Sequence, residues 1–392
     1  MSSSDMQPLS GITVIDFTQA MLGPVSTLVL ADYGADVIKI ERPGQGDLSR
    51  WSEDGDPDNP VYRSMNRNKR SIALDLRSAE GKEIIYDLAR KADVVVNNFR
   101  AGVMDRMGFG YDALRKLNPG IIFASGTGFG ADGPLSHKGG QDVLAQALSG
   151  VMARRPDPST PYSVYSTCLC DYTAGMHLAQ AILLALLQRN RTGVGQRVSV
   201  SLFESMLAMQ TQEAAVWLQE RKELNWGAMP LTGAFATSDG ALVLVGAFKS
   251  EPLRDICAAL DLGEMWRDPR FETPLGQKAN RAHLQSAFAE RFAGNTTAYW
   301  IGRLEEQDLL CAPILTMEEA LAHQQTVVNG TVVEVAGEQS LRAIGTPLRL
   351  ENDAFRIRHV PPRLGADGES VLADLGYSSA RIAGLKQTGI LS

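Results

Sequence analysis

The strongest constraint on the fold is an alternation of short β-branched runs with segments of helical length, which starts at residue 12. Ile12-Thr-Val-Ile-Asp16 and Asp36-Val-Ile-Lys-Ile40 flank an apolar stretch over 24–33 that Gly34 can terminate, since glycine takes the left-handed turn that ends helices. The pattern continues with a strand over 71–76, a helix over 78–91, a strand over 93–96, a helix over 111–117 and a strand over 121–124. Strand–helix alternation of this kind predicts a parallel sheet covered by helices, with loops at the strand C-termini building the site. After Gly150 a Pro-rich loop over 154–161 leads to a long helix beginning at Asp171, a strand over 196–200 and a helix over 202–220. A hairpin over 233–245, turning at Asp239-Gly240, and helical segments to about residue 322 suggest a second, smaller α+β domain. The domains are expected at 8–205, completed by 335–392, and at 229–325, with a linker helix over 206–228.

Composition narrows the functional classes. The 392 residues are 44% hydrophobic and 21% charged, as in ordinary globular chains. The net charge of −7 argues against general nucleic-acid binding, while leaving room for local basic pockets. Four cysteines, at 168, 170, 257 and 311, have neither the number nor the spacing of a disulfide framework, so a reducing, cytoplasmic setting is expected. Cys168 and Cys170 read as packing residues. The N-terminus lacks a signal-peptide pattern, and the greasy stretch over 174–187 carries His177 and Gln180 and falls short of the ~20 residues a membrane helix needs.

Several residue constellations bear on chemistry. A GxGxxG match at Gly128, Gly130 and Gly133 follows a strand, but Pro134 comes next and no helix opens, so a turn allowing close approach is favoured over a dinucleotide site. Asp171 at the start of the long helix suits an N-cap, and it equally suits a carboxylate nucleophile kept ionised by the helix N-terminus. Gly175, one turn on, would let a ligand or another backbone approach it. Basic residues gather at Arg42, Arg67, Lys69, Arg70, Arg77 and Arg106; Arg42 and Arg77 follow strands, where phosphates bind in such sheets. The five histidines are dispersed without metal-ligand spacing, and no GxSxG elbow occurs.

The runs Gly11-Ile-Thr-Val-Ile-Asp-Phe-Thr, Leu30-Ala-Asp-Tyr-Gly-Ala-Asp-Val-Ile-Lys-Ile-Glu-Arg42-Pro, Asn66-Arg-Asn-Lys-Arg-Ser-Ile, Ala92-Asp-Val-Val-Val-Asn-Asn-Phe99 and Asp171-Tyr-Thr-Ala-Gly closely resemble the class III (CaiB/BaiF-type) CoA-transferases. The resemblance implies an α/β fold with a large Rossmann-like domain, a small domain and a homodimer of interlocked rings. It also implies acyl-CoA and a small carboxylic acid as substrates, with no prosthetic group, metal, nucleic acid or membrane. The family's nucleophile falls on Asp171, and its CoA contacts fall on Arg42, Leu74, Arg77, Asn98, Phe99 and Arg106. The implied reaction passes through an aspartyl-acyl anhydride and an aspartyl-CoA thioester, with helix amides after Asp171 as candidate oxyanion donors. Where the racemase branch carries histidine, this chain has Gln141, which can hydrogen-bond an acyl group but cannot transfer protons; His137 lies four residues earlier and Asp142 is a candidate cap. The formyl-CoA branch's glycine run is missing and Met21 stands at its glutamine position, which favours another carboxylate pair, such as one including succinate. Arg67, Arg154 and Arg155 are candidates for holding a distal carboxylate. Racemisation, acyl-CoA hydrolysis and CoA binding without turnover are the alternatives.

Overall fold

The six β-rich runs pair into one parallel sheet in the computed structural model, which describes residues 7–51, 59–335, 341–351 and 355–392. The strands are β1 (Thr13–Asp16), β2 (Asp36–Glu41), β3 (Lys69–Ala73), β4 (Val94–Asn97), β5 (Ile122–Thr127) and β6 (Arg197–Ser201), in the order β3-β2-β1-β4-β5-β6. All five pairings are parallel. Both faces of the middle of such a sheet are covered, so a central strand reads as an apolar run; Val94, Val95 and Val96 are all fully buried. Strand order reverses between β1 and β4, which places a crevice beyond their C-terminal ends.

The connecting helices start and stop where local chemistry directs. The helix Leu22–Asp32 gives way to Gly34 at φ +106°, where an added Cβ would lie 2.7 Å from the Gln7 Cβ. The helix Ala79–Lys91 is capped by Ser78, whose Oγ accepts from the Gly81 N–H at 2.9 Å, and ends in Arg90 and Lys91, favourable against the dipole. The C-terminal helices Gly368–Asp374 and Ser379–Gln387 place Val371, Leu372 and Leu385 in the same core as Ile15, Ile38, Ile72, Val95 and Phe123. Each such side chain contributes roughly 1.5–3 kcal/mol on burial.

The long helix differs from expectation in two respects. It spans 24 residues, Leu169–Thr192, and so begins two residues before Asp171. By length and composition it is sufficient to cross a membrane. Its buried residues, among them Ala174, Leu178, Ile182 and Ala185, nevertheless recur every three or four positions and pack on β5, β6 and the helix Leu22–Asp32. The predicted helix over 202–220 is two helices, Leu202–Met209 and Thr211–Glu220, interrupted at Gln210.

The chain divides into two units. The first comprises residues 1–151, 164–210 and 328–392, and the second residues 152–163 and 211–327. The second holds the antiparallel sheet β7 (Thr232–Ala236), β8 (Ala241–Val245) and β9 (Leu310–Pro313), with Phe235, Leu242, Phe288, Phe292 and Trp300 in its core. In the first unit, β10 (Val332–Val335) and β11 (Leu341–Ile344) form an antiparallel pair.

Candidate active site

The crevice at the β1/β4 switch point is a cleft of about 310 Å³ with Asp171 in its wall. Three loops face Asp171. The loop after β1 brings Gln19 and Ala20, the loop after β4 brings Asn98, Phe99 and Arg100, and the glycine-rich loop after β5 brings Gly128 through Gly130 and Ser136 through Gln141, without His137.

Asp171 does not cap its own helix. It is the third helical residue, and the cap comes from Asp142, whose Oδ2 accepts from the Cys170 N–H at 2.8 Å and the Asp171 N–H at 2.9 Å. The other Asp142 oxygen accepts from Gln146 Nε2. These bonds correct the expectation that amides following Asp171 serve an oxyanion: those of Cys170 and Asp171 are committed to Asp142, and that of Tyr172 to the Cys168 carbonyl. The backbone N–H of Leu22, at the start of a helix that no side chain caps, lies near enough to the Asp171 carboxyl to favour its ionised form. Gly175 makes this approach feasible, because a Cβ there would lie 2.7 Å from the Leu22 carbonyl oxygen. Burial first, and then the neighbouring Asp142 charge, push the Asp171 carboxyl up to about 6, against the lowering effect of the Leu22 N–H. It is ionised at neutral pH, with a basicity above that of a free aspartate.

Asp142, Cys168 and Asp171 bring potential ligand atoms within 4.8 Å of one another. Both Asp142 oxygens already receive N–H donors, so this carboxylate acts as a cap. Cys170 is fully buried and its thiol is pushed up to about 12 by burial and the two aspartates. The same causes raise the exposed Cys168, so neither thiol is activated as a nucleophile.

The loop after β1 is held from several sides. Ala20 sits at φ +61°, a conformation costing an L-residue about 1–2 kcal/mol. Asn98 clasps Gln19 by accepting from its N–H at 2.9 Å and donating to its carbonyl at 2.7 Å. Asp47 accepts from the Ala20 N–H, and Lys39, paired with Asp47 at 2.7 Å, donates to the Thr18 carbonyl at 2.8 Å. Behind it Asp16 meets Lys69 at 3.3 Å and accepts from Thr18 and Thr27. Burial alone would raise the Asp16 carboxyl, but Lys69 and Lys39 with the two hydroxyls bring it down to about 2. Burial brings Lys69 down to about 8 despite Asp16. The loop after β5 has a different anchor: Gly128 and Gly140 pack backbone to backbone, so that a Cβ on either would lie 2.3 Å from the other's Cα. That contact is the use made of the GxGxxG-like turn.

The site residues named from sequence divide into two groups. Asp171, Gln141, Asn98 and Phe99 line the cleft. Arg42, Leu74, Arg77 and Arg106 do not. Arg42 is exposed beyond β2 with its guanidinium on Gln45, and Arg77 is 92% exposed and tethered to Asp75 at 2.9 Å. Arg106 is exposed on the short helix Val103–Met107. The Leu74 side chain is core, and its backbone N–H donates to the Glu41 carbonyl at 3.0 Å. Arg67, a carboxylate-binding candidate, is buried and paired with Asp32 at 2.6 Å, so it is unavailable. Arg154 donates to the Leu224 carbonyl, and Arg155 to the carbonyls of Pro158 and Thr160. The sequence reading missed Gln19, Ala20, Arg100 and Lys138. Their signal was topological, since Arg100 directly follows Asn98-Phe99 at the switch point.

Residues 9–368 match CoA-transferase family III. A mouse succinyl-CoA:glutarate CoA-transferase is 34% identical, over 98% of this chain and 91% of its own length. A formyl-CoA:oxalate CoA-transferase of Escherichia coli is also 34% identical, over 97% and 98%. The crystal structure of a CaiB/BaiF family protein from Brucella suis superposes with a TM-score of 0.85 at 29% identity, over 95% of this chain and all of that one. The chain belongs to CoA-transferase family III and is a transferase that uses CoA thioesters, with no prosthetic group indicated by the family.

Proposed function

We propose that the protein moves CoA between carboxylic acids through Asp171, with a dicarboxylate such as succinate as donor acid or acceptor. The observation carrying this reading is the placement of the Asp171 carboxylate in the switch-point cleft, its basicity raised and the Leu22 amide beside it. In the first step an Asp171 oxygen attacks the donor thioester carbonyl, the C–S bond breaks, and CoA leaves as thiolate from a mixed anhydride. The thiolate then attacks the Asp171 carbonyl, releasing the donor acid and leaving an aspartyl-CoA thioester. The acceptor carboxylate attacks that thioester, freeing the thiolate and forming a second anhydride. Attack of the thiolate on the acceptor's carbonyl gives the new acyl-CoA and regenerates Asp171. No net proton is consumed, which suits a carboxylate without a neighbouring general base. Oxyanion stabilisation falls to the Leu22 N–H and to the backbone of the loop after β5.

CoA is long, with thioester and phosphates at opposite ends, so Arg42, Arg77 and Arg106 outside the acyl cleft suit the phosphate end. Gln141, whose side chain caps no helix, is free to hydrogen-bond the acyl group. An interlocked homodimer in the cytoplasm completes the proposal; exposed Leu184 and Leu187 on the long helix support association, and four free thiols suit a reducing compartment. The test is intact-protein mass spectrometry after incubation with succinyl-CoA and borohydride or hydroxylamine trapping. An adduct on the Asp171 peptide, missing in Asp171→Ala, is expected. No adduct across a panel of acyl-CoAs would leave CoA binding without chemistry as the better reading.

A further inference from the structure

The segment from Thr18 to Pro24 is held at both ends by buried ammonium groups. Lys39 donates to the Thr18 carbonyl at 2.8 Å, and Lys69, buried on β3, donates at 3.2 Å to the Pro24 carbonyl in the first turn of the helix Leu22–Asp32. Between them lie Gln19, Ala20 and the Leu22 N–H beside the Asp171 carboxyl. The segment has no slack: a Cβ on Gly23 would lie 2.2 Å from the Thr18 Cβ, and one on Gly175, in the helix of Asp171, 2.7 Å from the Leu22 carbonyl oxygen. The Lys69 ammonium has three N–H donors and meets three acceptors, Asn66 Oδ1 at 2.9 Å, the Pro24 carbonyl at 3.2 Å and Asp16 Oδ2 at 3.3 Å. Two of these are oriented in turn: Asn66 donates to the Tyr62 carbonyl at 2.8 Å, and Asp16 Oδ2 also accepts from the Thr27 hydroxyl at 2.7 Å.

A neutral amine offers only two N–H groups and a lone pair, so without its extra proton Lys69 leaves one of the three acceptors facing that lone pair. The charges around it come from several elements. Asp16 on β1 attracts it, Lys39 on β2 repels it, Asp47 beyond β2 attracts it more weakly, and Asp32 at the far end of the helix feels its charge as well. Burial outweighs the acids and brings the ammonium down from 10.5 to about 8. We propose that Lys69 is a positioning residue for the transfer: through the Pro24 carbonyl its charged form fixes the first turn of the helix Leu22–Asp32, and so sets the Leu22 N–H against Asp171 for attack on the thioester. This rests on the transferase reading and adds to it an upper pH limit with an assigned group. A shift of the helix start would weaken the Leu22 N–H against the charge that develops in the transition state.

The experiment follows formation of the trapped Asp171 adduct from succinyl-CoA by rapid quench, without acceptor, from about pH 5 to about pH 9.5. Wild type, Lys69→Met and Lys69→Arg are compared, with thermal melts at each pH to check folding. In wild type the rate at saturating succinyl-CoA is expected to rise as Asp171 ionises near pH 6 and to fall again near pH 8. The thiols of Cys168 and Cys170 are pushed above the ordinary cysteine range and do not account for such a fall. Lys69→Met is expected to slow the step about tenfold or more and to lose the alkaline fall, with the half-saturating concentration within about twofold of wild type because Lys69 is not in the cleft lining. Lys69→Arg, which stays charged throughout, is expected to recover part of the rate, also without the fall. A wild-type rate that does not fall above pH 7 would overturn the proposal whether or not the variants fold. An alkaline fall that either variant keeps would overturn it too, as would a folded Lys69→Met with the wild-type rate. If no acyl-CoA of the panel labels wild-type Asp171 at any pH, the transferase reading fails and this proposal with it.

Discussion

Two walls of one cleft are built by opposite means. The loop after β1 is held by side chains: Asn98 clasps Gln19, Asp47 takes the Ala20 amide, and buried Lys39 ties Asp47 to Thr18. The loop after β5 is held by missing side chains, through the backbone contact of Gly128 with Gly140 and the space at Gly139. The first wall leads into the Leu22 amide that meets Asp171, and a group that must be placed to within a fraction of an ångström needs redundant anchors. The second lines the cleft with Gln141 and Lys138, which on the proposed reading is the side where differences between substrates are accommodated. Ion pairs out of water serve placement here, and glycine contacts serve shape.

The contrast can be broken most severely at Lys39. Lys39→Ala leaves Asp47 buried without its counter-charge and is expected to cost about 3–5 kcal/mol in urea unfolding, with loss of activity. A loss below 1 kcal/mol would mean that the ion layer does not hold the first wall. Next comes Asp171→Asn, which separates function from stability. Folding raises this carboxyl from 3.8 to about 6, so the folded state binds the proton more tightly and stability falls as pH rises from about 4 through 6. The Asn variant escapes that loss and should be more stable than wild type at pH 7.5, by up to ~3 kcal/mol, while lacking transfer activity. The difference should vanish near pH 4, and wild-type activity should fall as pH drops below about 6. Equal melting temperatures at pH 7.5 would contradict the account of a carboxyl raised by burial and the Asp142 charge.

At the second wall, Gly140→Ala forces a methyl group to within 2.3 Å of the Gly128 Cα. The expected cost is about 1–3 kcal/mol, with kcat/KM reduced more than stability because the acyl side of the cleft shifts. An unchanged kcat/KM would show that this contact does not shape the site. The smallest effect belongs to Ala20→Gly, which removes the left-handed strain at φ +61° but loosens the unfolded chain. The net is expected near 0.5 kcal/mol in favour of the variant, with a modest drop in kcat as the first wall loses definition; thermal melts with steady-state kinetics check both.

Residue order alone determined the parallel sheet, the helices that cover it and the nucleophile candidate, because β-branched runs, helical periodicity and glycine stops act between near neighbours. From residue 12 to 127 the five strands and the helices Leu22–Asp32, Ala79–Lys91 and Tyr111–Leu117 could be read to within about three positions, while the short helices Pro60–Met65 and Val103–Met107 were missed; Asp171 was a candidate from its own pattern, and Gln141, Asn98 and Phe99 were named through the family resemblance. Only the tertiary structure decided what those residues do to each other. Asp142 caps a helix 29 residues downstream, and Asp32 sequesters Arg67 from 35 residues away. Neither separation follows a helical or strand period. Arg67 and Arg100 are alike as letters in a sequence, and one is locked against Asp32 while the other lines the cleft, because a cation's partner is set by how strands cross in space.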